Sequence, residues 1–360
     1  MSLKLGMFAM PVHPPEKDFR ALLDENIEKV VLADKLGYSE YYMGEHHTSL
    51  LERIGNPLIF FANVADKAPN IRLGSGVINL PQMHPVSVAS NVALLDQITN
   101  GRFIMGVGPG SLVSDMEAFG SVPPEVRGRM VFESIDMVTR IWTTEPPFVL
   151  EGEFWTVSLK EKLMPDYGVG NPPLPNQRPY PPIAMTMVAP GSYSARVAGR
   201  KDWIPISASF INKRFLKSHW ESYVEGCNDV GRAPNPDVWR VCRCTLVTES
   251  DAQAQEYLDD PDSSINYHYR FFRKIAVAGR GSDGLLKPDL SKSDQETTIR
   301  DIVAAQVIAG SPKRVAEQIR ALKDEIGEFG TLIATSFDWD QPDLWRKSME
   351  LLATEVAPKL

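Results

Sequence analysis

The chain has 360 residues, of which 43% are hydrophobic and 23% are charged, and its formal net charge at pH 7 is −8. Lysine and arginine are scattered along it, so it has no electrostatic footprint for nucleic acid or an anionic membrane, and a small, fairly apolar partner is favoured. No apolar run reaches about 18 residues and no signal-peptide pattern opens the chain, which predicts a cytoplasmic protein. The three cysteines, Cys227, Cys242 and Cys244, are predicted to be reduced thiols of the core.

Short apolar segments rich in β-branched residues alternate with longer segments of helical period, the pattern of βα units around a parallel sheet. The predicted strands are Leu3–Ala9, Glu40–Met43, Arg72–Val77, Phe103–Val107, Ile183–Met187, Trp203–Ser207, Trp239–Val247 and Thr331–Thr335. The predicted helices are Asp18–Leu36, Pro57–Lys67, Pro85–Ile98, Val126–Trp142, Ser192–Gly199, Asn212–Val230, Pro312–Ile326 and Pro342–Val356. Eight such units in more than about 250 residues favour a closed (β/α)8 TIM barrel of the α/β class. An open doubly wound sheet is the alternative, because periodicity does not show closure.

Two long segments interrupt the repeat, and residues 1–360 are otherwise expected to form a single barrel domain. Segment 143–182, after the fourth strand-helix unit, is rich in proline and glycine and predicts an ordered insertion over the barrel. Segment 259–298, before the last helices, predicts a mobile lid. Loops of this length inside a compact domain are usually functional or disordered.

The motif "YMGEHHT" places Glu45, His46 and His47 just after the second predicted strand. Catalytic groups of such barrels lie at the C-terminal ends of the strands. Adjacent residues on an extended segment point to opposite sides, so the two imidazoles do not easily share one ion. No spaced histidine or cysteine motif offers a further ligand set, and we predict no metal. A catalytic histidine and a buried structural one both remain open at this point.

Two glycine-containing turns are candidates for contact with a ligand. The cluster "MGVGPGS" at 105–111 reads G-x-G-x-G instead of the dinucleotide fingerprint, and its glycines let backbone approach a flat ligand or a neighbouring loop. In "MVAPGSYSARVAGR" a strand ends, Pro190 and Gly191 make a turn, and a helix begins near Ser192 or Ser194. The first amides of a helix bind phosphate readily, and a plain helix cap is the alternative.

In this order, the motifs of the chain resemble the bacterial-luciferase-like flavin-dependent monooxygenases, nearest the limonene-monooxygenase and diketocamphane-monooxygenase branch. The resemblance is carried by "GMFAMPVHP", "LADKLGYSEYYMGEHH", "RLGSGVINLPQMHPVSVASNVALLDQITNGRFIMGVGPG", "AGSPKRVAEQI" and "SMELLATEVAPKL". It implies a (β/α)8 barrel and reduced FMN as co-substrate, supplied by a separate NAD(P)H:flavin reductase. It further implies a flavin C4a-peroxide formed with O2, which inserts one oxygen atom into a small apolar, cyclic or terpenoid-like substrate by Baeyer–Villiger or epoxidation chemistry. Family precedent suggests a homodimer.

The resemblance also assigns roles to individual residues. His46 matches the functional histidine near the reactive edge of the flavin, Glu45 orients this segment, and His47 packs behind it. A cis non-proline peptide is implied at Gly76-Val77. The residues expected to bind the cofactor are Ser75, Gly76, Val77, Gly108, Arg129, Met187, Val188, Ala189, Gly191, Ser192, Tyr193 and Ser194. Those expected to line the substrate pocket are Phe8, Met10 and Met43, with Met187 beside them.

The chain departs from luciferase itself after the fourth strand, where Pro109 stands in place of an arginine. This difference argues against light emission and predicts a phosphate site like that of the limonene and diketocamphane branch. Two alternatives to the monooxygenase remain within the superfamily: a deazaflavin-dependent hydride-transfer enzyme and a non-catalytic flavin-binding subunit. Retention of "EHH" argues against the second.

Overall fold

The computed structural model describes residues 3–360, apart from the side chain of residue 280. Its strands are β1 Lys4–Ala9, β2 Glu40–Met43, β3 Arg72–Ser75, β4 Ile78–Asn79, β5 Phe103–Gly108, β6 Phe148–Glu151, β7 Thr156–Leu159, β8 Ile183–Met187, β9 Ile204–Ser207, β10 Arg240–Val247, β11 Ile308–Gly310 and β12 Thr331–Ser336. Eight of them pair in parallel in the order β1-β2-β3-β5-β8-β9-β10-β12, and β12 pairs with β1 to close the ring. The predicted barrel is confirmed, and the open-sheet alternative is wrong.

Helices surround this barrel. They are α1 Phe19–Lys35, α2 Pro57–Val64, α3 Pro85–Ile98, α4 Val113–Ala118, α5 Pro124–Thr143, α6 Tyr193–Lys201, α7 Leu216–Asn228, α8 Asp251–Asp259, α9 Ser264–Arg280, α10 Ile299–Gln306, α11 Pro312–Ile326 and α12 Pro342–Leu351. Every predicted helix is present. The helices α4, α8, α9 and α10 and the short strands β4, β6, β7 and β11 were not predicted. None of the described helices is both long and apolar enough to cross a membrane.

Side chains alternate between the two faces of each barrel strand, and this alternation decides which of the predicted site residues face the barrel interior. Phe8 lies opposite Tyr42, and Ala9 lies opposite Met43. The barrel interior is filled by Phe8, Tyr42, Ile104, Ala184, Ile206, Cys242 and Ile333. Met43 and Met187 belong instead to the core between strands and helices, and both are fully buried there. Neither methionine side chain belongs to the barrel interior, and their assignment to the substrate and cofactor sites stays a prediction.

The segment 143–182 contains an antiparallel hairpin of β6 and β7. Glu133 on α5 holds its turn by accepting hydrogen bonds from the backbone N–H groups of Glu153, Phe154 and Trp155 at 2.7, 2.9 and 2.8 Å. Elsewhere in the core, all three cysteines are buried free thiols, as predicted.

Helix α9 occupies much of the segment expected to be a lid, and it lies over the C-terminal mouth of the barrel. Near its start, His268 packs against Phe337, which follows β12. One turn later Phe272 stacks on Phe210, which follows β9. At its far end Gly279 approaches Val113, the first residue of α4 after β5. The helix therefore spans the mouth from the β9–β12 side to the β5 side.

The chain after α9 is tied to the body of the protein. Arg273 donates to Asp283 at 2.6 Å, Arg214 donates to the carbonyl of Gly284 at 2.9 Å, and Gln306 donates to the carbonyl of Leu286 at 3.1 Å. These hydrogen bonds hold segment 259–298 against the barrel. The mobility expected of this segment stays a prediction.

Candidate active site

His46 and Glu52 form a buried pair in the loop that follows β2. The Nδ1–H of His46 donates to Oε2 of Glu52, and both side chains are almost fully buried. Within the described residues, Nε2 of His46 has no hydrogen-bond partner, so it is the ring atom left for chemistry. A carboxylate on one imidazole nitrogen fixes the tautomer and orientation of the ring. The sequence analysis did not identify Glu52, because its six-residue separation from His46 follows no motif.

The charge state of His46 is set by two opposing effects. Burial disfavours the imidazolium, but the hydrogen bond and negative charge of Glu52, with Asp115 and Glu45 nearby, outweigh burial and raise the pKa of His46 above its ordinary value of 6.5. The raised pKa favours the charged ring, and an imidazole is a side chain that can hold or pass a proton in catalysis.

Glu45, which follows β2, is hydrogen-bonded to Asn79 at the end of β4. Its Oε2 accepts the backbone N–H of Asn79 at 2.7 Å, and its backbone carbonyl accepts the side-chain amide of Asn79 at 3.1 Å. Burial raises the pKa of Glu45 to about 7, against the lowering influence of the Asn79 amide and His46. These two bonds fix Glu45 against Asn79, and its role in orienting the "EHH" segment stays a prediction.

His47 lies in different surroundings from His46. Its backbone N–H donates to Asp115 at 3.0 Å, and its half-buried ring packs edge-on against Phe119 at 5.4 Å. Its Nε2 is 3.7 Å from Glu45. The two imidazoles therefore contact different neighbours, as the alternation argument predicted.

The raised pKa of Glu45 predicts a pH-dependent stability difference. A carboxyl whose pKa rises from 4.5 to about 7 on folding contributes stability below pH 4.5 that is lost as the pH rises through 7. Glu45→Gln accepts the same Asn79 bond without ionising. We expect this variant to be more stable than the parent at about pH 8 by up to ~3 kcal/mol, with the difference falling to near zero at about pH 4. Urea unfolding at the two pH values measures this, and a difference that does not change with pH would contradict it.

The backbone that leads from β3 through β4, together with the end of β5, forms one wall of the barrel mouth, and it is tightly packed at Gly76 and Gly108. The peptide Gly76-Val77 is cis, as predicted. A Cβ on Gly76 would lie 2.8 Å from the ring of Phe8, and one on Gly108 would lie 2.8 Å from the Val77 side chain. Only glycine fits at these two positions without displacing its neighbours. No side chain projects from the backbone at Gly76 and Gly108, which allows close approach of neighbouring groups.

Two other predicted residues near this wall have clear positions. The Ser75 hydroxyl is fully buried, donating to the Gly106 carbonyl at 2.8 Å and accepting the Gly106 N–H at 3.0 Å. The hydroxyl joins β3 to β5, and the predicted contact of Ser75 with a cofactor stays a prediction. Met10 packs its thioether on Gly44, immediately before Glu45, and so stays near the mouth.

The predicted anion loop follows β8. Val188 is half-buried, whereas Ala189 and Gly191 are exposed, and Gly191 adopts a φ of 58°. Ser192 is the N-cap residue of α6, and its side chain makes no capping hydrogen bond. Within the described residues, the backbone N–H groups of Ser192, Tyr193 and Ser194 have no hydrogen-bond partner. The alternative, a helix end capped by a serine side chain, is therefore not what the structure has. The three backbone N–H groups at the positive end of α6 are available to bind an anion.

Helix α7 holds this loop in place from behind. His219 donates from Nε2 to the carbonyl of Ala189 at 2.9 Å, and Ser218 accepts the N–H of Gly191 at 3.1 Å. Burial lowers the pKa of His219 to about 4, so its ring is neutral. The loop is therefore preformed.

Two arginines of α5 lie near the loops after β5 and β8. Arg129, the predicted phosphate partner, is exposed and forms an ion pair with Glu153 at 2.9 Å. Arg127, which the sequence analysis missed, donates to the carbonyls of Pro109 and Gly110 at 3.3 and 3.1 Å. Its charge has no carboxylate partner within the described residues. Arg127 thus brings a cation to the loop in which Pro109 stands where luciferase has an arginine.

One further polar cluster lies beside the mouth. His13, Glu25 and Asp338 place potential ligand atoms within 4.8 Å of one another. Lys17 donates to Asp338 at 2.6 Å, and Lys29 donates to Glu25 at 2.5 Å. Because the lysines already balance both carboxylates, this cluster is an ion-pair network that joins α1 to the end of β12.

A closed parallel barrel with a buried His-Glu pair, a bare backbone wall and an open helix N-terminus at one mouth defines a cofactor-binding (β/α)8 enzyme scaffold. The family profile described as luciferase-like monooxygenase matches residues 3–327, and the chain belongs to that family. The resemblance seen in the sequence is confirmed.

Named relatives cover the whole chain. It is 30% identical to 3,6-diketocamphane 1,6-monooxygenase of Pseudomonas putida, over 100% of this chain and 99% of the relative. It is 28% identical to limonene 1,2-monooxygenase of Rhodococcus erythropolis, over 98% and 85%. A solved structure of the oxygenating constituent of 3,6-diketocamphane monooxygenase from Pseudomonas putida, a type II Baeyer–Villiger monooxygenase in complex with FMN, matches with a TM-score of 0.86 at 28% identity, over 100% and 99%. The protein is therefore a flavin-dependent monooxygenase of the luciferase-like class.

Proposed function

We propose that this protein is the oxygenase of a two-component system, which takes reduced FMN from a separate NAD(P)H:flavin reductase and inserts one atom of O2 into a small apolar, cyclic or terpenoid-like substrate. The relatives named above act on diketocamphane and limonene, and the matched structure is described as an oxygenating constituent. The observation that carries the proposal is the His46–Glu52 pair, which shares one barrel mouth with the open N-terminus of α6.

The residues at the mouth fit FMN. The amides of Ser192 to Ser194 and the positive end of α6 suit its phosphate, and the backbone at Gly76, Val77 and Gly108 suits the flat flavin ring. Bound reduced FMN supplies the electrons with which one oxygen atom of O2 enters the substrate and the other leaves as water.

The contribution of the chain is proton control, orientation and exclusion of water. His46 holds or passes a proton at Nε2, while Glu52 keeps its ring in place through Nδ1. Glu45 orients the segment through Asn79. Helix α9 covers the mouth and limits entry of water, which would compete with the substrate.

The two arginines of α5 provide a matched test of the phosphate site. Since Arg129 is already paired with Glu153 and Arg127 is not, we expect Arg127→Gln to weaken FMN binding by at least about tenfold and Arg129→Gln to weaken it less. Equilibrium titration with FMN, monitored by flavin fluorescence, measures both. A larger loss in Arg129→Gln would place the phosphate nearer the β6–β7 hairpin.

Product analysis tests the proposed reaction. The protein is supplied with reduced FMN and labelled O2 and is offered a panel of cyclic ketones and terpenes, with mass spectrometry of the products. We expect one labelled oxygen atom per product, as an ester from a ketone or an epoxide from an alkene. Turnover with reduced deazaflavin, without oxygen uptake, would replace this proposal by hydride transfer. Binding of flavin without turnover of either kind would indicate a non-catalytic subunit.

The outer faces of α2 and α3 support the predicted homodimer. Ile59 on α2 is 71% exposed, and Val86, Leu94 and Ile98 on α3 are 43%, 60% and 40% exposed. The spacing of the α3 residues by four or eight positions puts them on one stripe, and no charged side chain interrupts it. An exposed apolar patch of this kind marks an interaction site, here with a second copy of the chain.

A charge placed in this stripe tests the dimer. We expect Leu94→Glu to weaken self-association by at least about tenfold, because each copy would bury an unpaired carboxylate. Val230→Glu, at an apolar position that is 52% exposed outside the stripe, is the matched control. Sedimentation velocity over a range of concentrations distinguishes them, and equal association of the two variants would place the interface elsewhere.

A further inference from the structure

The underside of α9 carries a histidine that the proposed function does not use. His268 is only 3% exposed. Its ring centroid lies 4.5 Å from that of Phe272, 4.7 Å from Phe337 and 5.6 Å from Tyr269. An aromatic hydrocarbon ring would suit these neighbours as well as imidazole does, so packing does not account for a polar ring here.

Nδ1 of this ring is completely enclosed and has no hydrogen-bond partner within the described part of the chain. Nε2 also has no partner among the described residues, and it is the nitrogen that a ligand could reach. Burial lowers the pKa of His268 to about 3, so the ring is neutral and has one N–H donor and one acceptor. Buried polar groups are almost always hydrogen-bonded, and an unpaired one calls for a partner that the chain itself does not supply.

The barrel order places His268 relative to the catalytic histidine. His268 contacts Phe337 after β12, and its neighbour Phe272 stacks on Phe210 after β9. Strand β2, which delivers His46, lies two positions from β12 and four from β9 around the ring of eight. His268, at the β12 side, therefore approaches the same mouth about a quarter of the ring away from His46.

We propose that His268 is a specificity residue that donates a hydrogen bond to the carbonyl oxygen of an otherwise apolar cyclic ketone. This inference rests on the proposed function for the presence of a substrate at the mouth. It selects ketones over hydrocarbons of the same shape, because a site built around one hydrogen-bond donor rejects a ligand that leaves the donor unpaired. Such a bond also polarises the carbonyl toward attack at its carbon.

The test compares ligands in matched pairs. Each cyclic ketone of a panel is paired with the hydrocarbon in which an exocyclic methylene replaces the carbonyl oxygen. Calorimetry measures binding to the protein loaded with oxidised FMN, so that neither reductant nor turnover is needed. The variants are His268→Phe, which keeps the aromatic packing, and His268→Gln, which restores an N–H donor.

We expect His268→Phe to weaken ketone binding by about tenfold or more while hydrocarbon binding changes by less than about twofold, with partial recovery in His268→Gln. The melting temperature of His268→Phe should not fall, since an unpaired polar ring is replaced by an apolar one. Equal weakening of both ligands would assign His268 to packing, and unchanged ketone binding would assign it no role; either result overturns the proposal. A parent protein that prefers no ketone to its methylene partner overturns it too. If the parent prefers ketones but does not oxygenate them, the proposed reaction fails and the role of His268 stands.

Discussion

His46→Asn is expected to lower kcat for oxygenation by about a hundredfold to ten-thousandfold, whereas His47→Asn changes it by less than about threefold. The two residues are adjacent, but their surroundings differ. His46 is held by buried Glu52 with Nε2 free, while the His47 ring is half-exposed against Phe119. Asparagine retains a polar group of similar reach near Nδ1 and removes the ionisable nitrogen.

Measurements of FMN affinity, flavin oxidation, product and hydrogen peroxide separate catalysis from binding in the His46→Asn and His47→Asn variants. FMN affinity should be unchanged in both variants, because the phosphate loop and the backbone wall are intact. In His46→Asn, oxidation of reduced FMN should continue while product falls and hydrogen peroxide is released, so the ratio of product to flavin oxidised drops. Equal losses in the two variants would mean that the segment acts only as a structural unit.

Much of the fold was accessible from the sequence because the barrel repeats one pattern. Apolar β-branched strands and amphipathic helices with clear caps recur, and Ser311 with Pro312 begins α11 as their residue types predict. Helix α9 was missed because its segment is flanked by polar, glycine-containing stretches. Its apolar spacing, from Ile265 through Tyr269 and Phe272, was nevertheless the available signal.

The site was predictable where local sequence determines it and not where tertiary packing does. The cis peptide at Gly76-Val77 came from family resemblance, and the open α6 terminus from the turn before Ser192. Met43 belongs to the core outside the barrel interior, because side chains alternate along β2 and Tyr42 is the residue that faces inward with Phe8. The partnership of Glu52 with His46 depends on how a loop folds back, which no periodicity encodes.

Glu52→Gln should change the pH dependence of the reaction as well as its rate. In the parent, burial alone would lower the pKa of His46, and the bond and charge of Glu52 are foremost among the effects that raise it above 6.5. Gln keeps the size of the side chain but removes its charge, so burial prevails and the pKa of His46 falls. Whether the reaction needs the charged or the neutral ring, the limb of the pH–rate profile that reports His46 moves to lower pH.

The same substitution should reduce kcat by at least about tenfold, because the ring loses the carboxylate that orients it. The free energy of unfolding should also depend on this pair. A histidine whose pKa is raised on folding stabilises the fold below about pH 6.5, and this contribution is lost as the pH rises through the pKa of the folded state. Glu52→Gln should therefore lack this stabilisation at low pH. Profiles of kcat for the parent, Glu52→Gln, His46→Asn and the double variant form a thermodynamic cycle. In the His46→Asn background, Glu52→Gln should have little further effect on kcat, because the ring on which it acts is gone. A full additional loss there, or a profile that does not move in the single variant, would show that Glu52 supports the loop and does not act through His46.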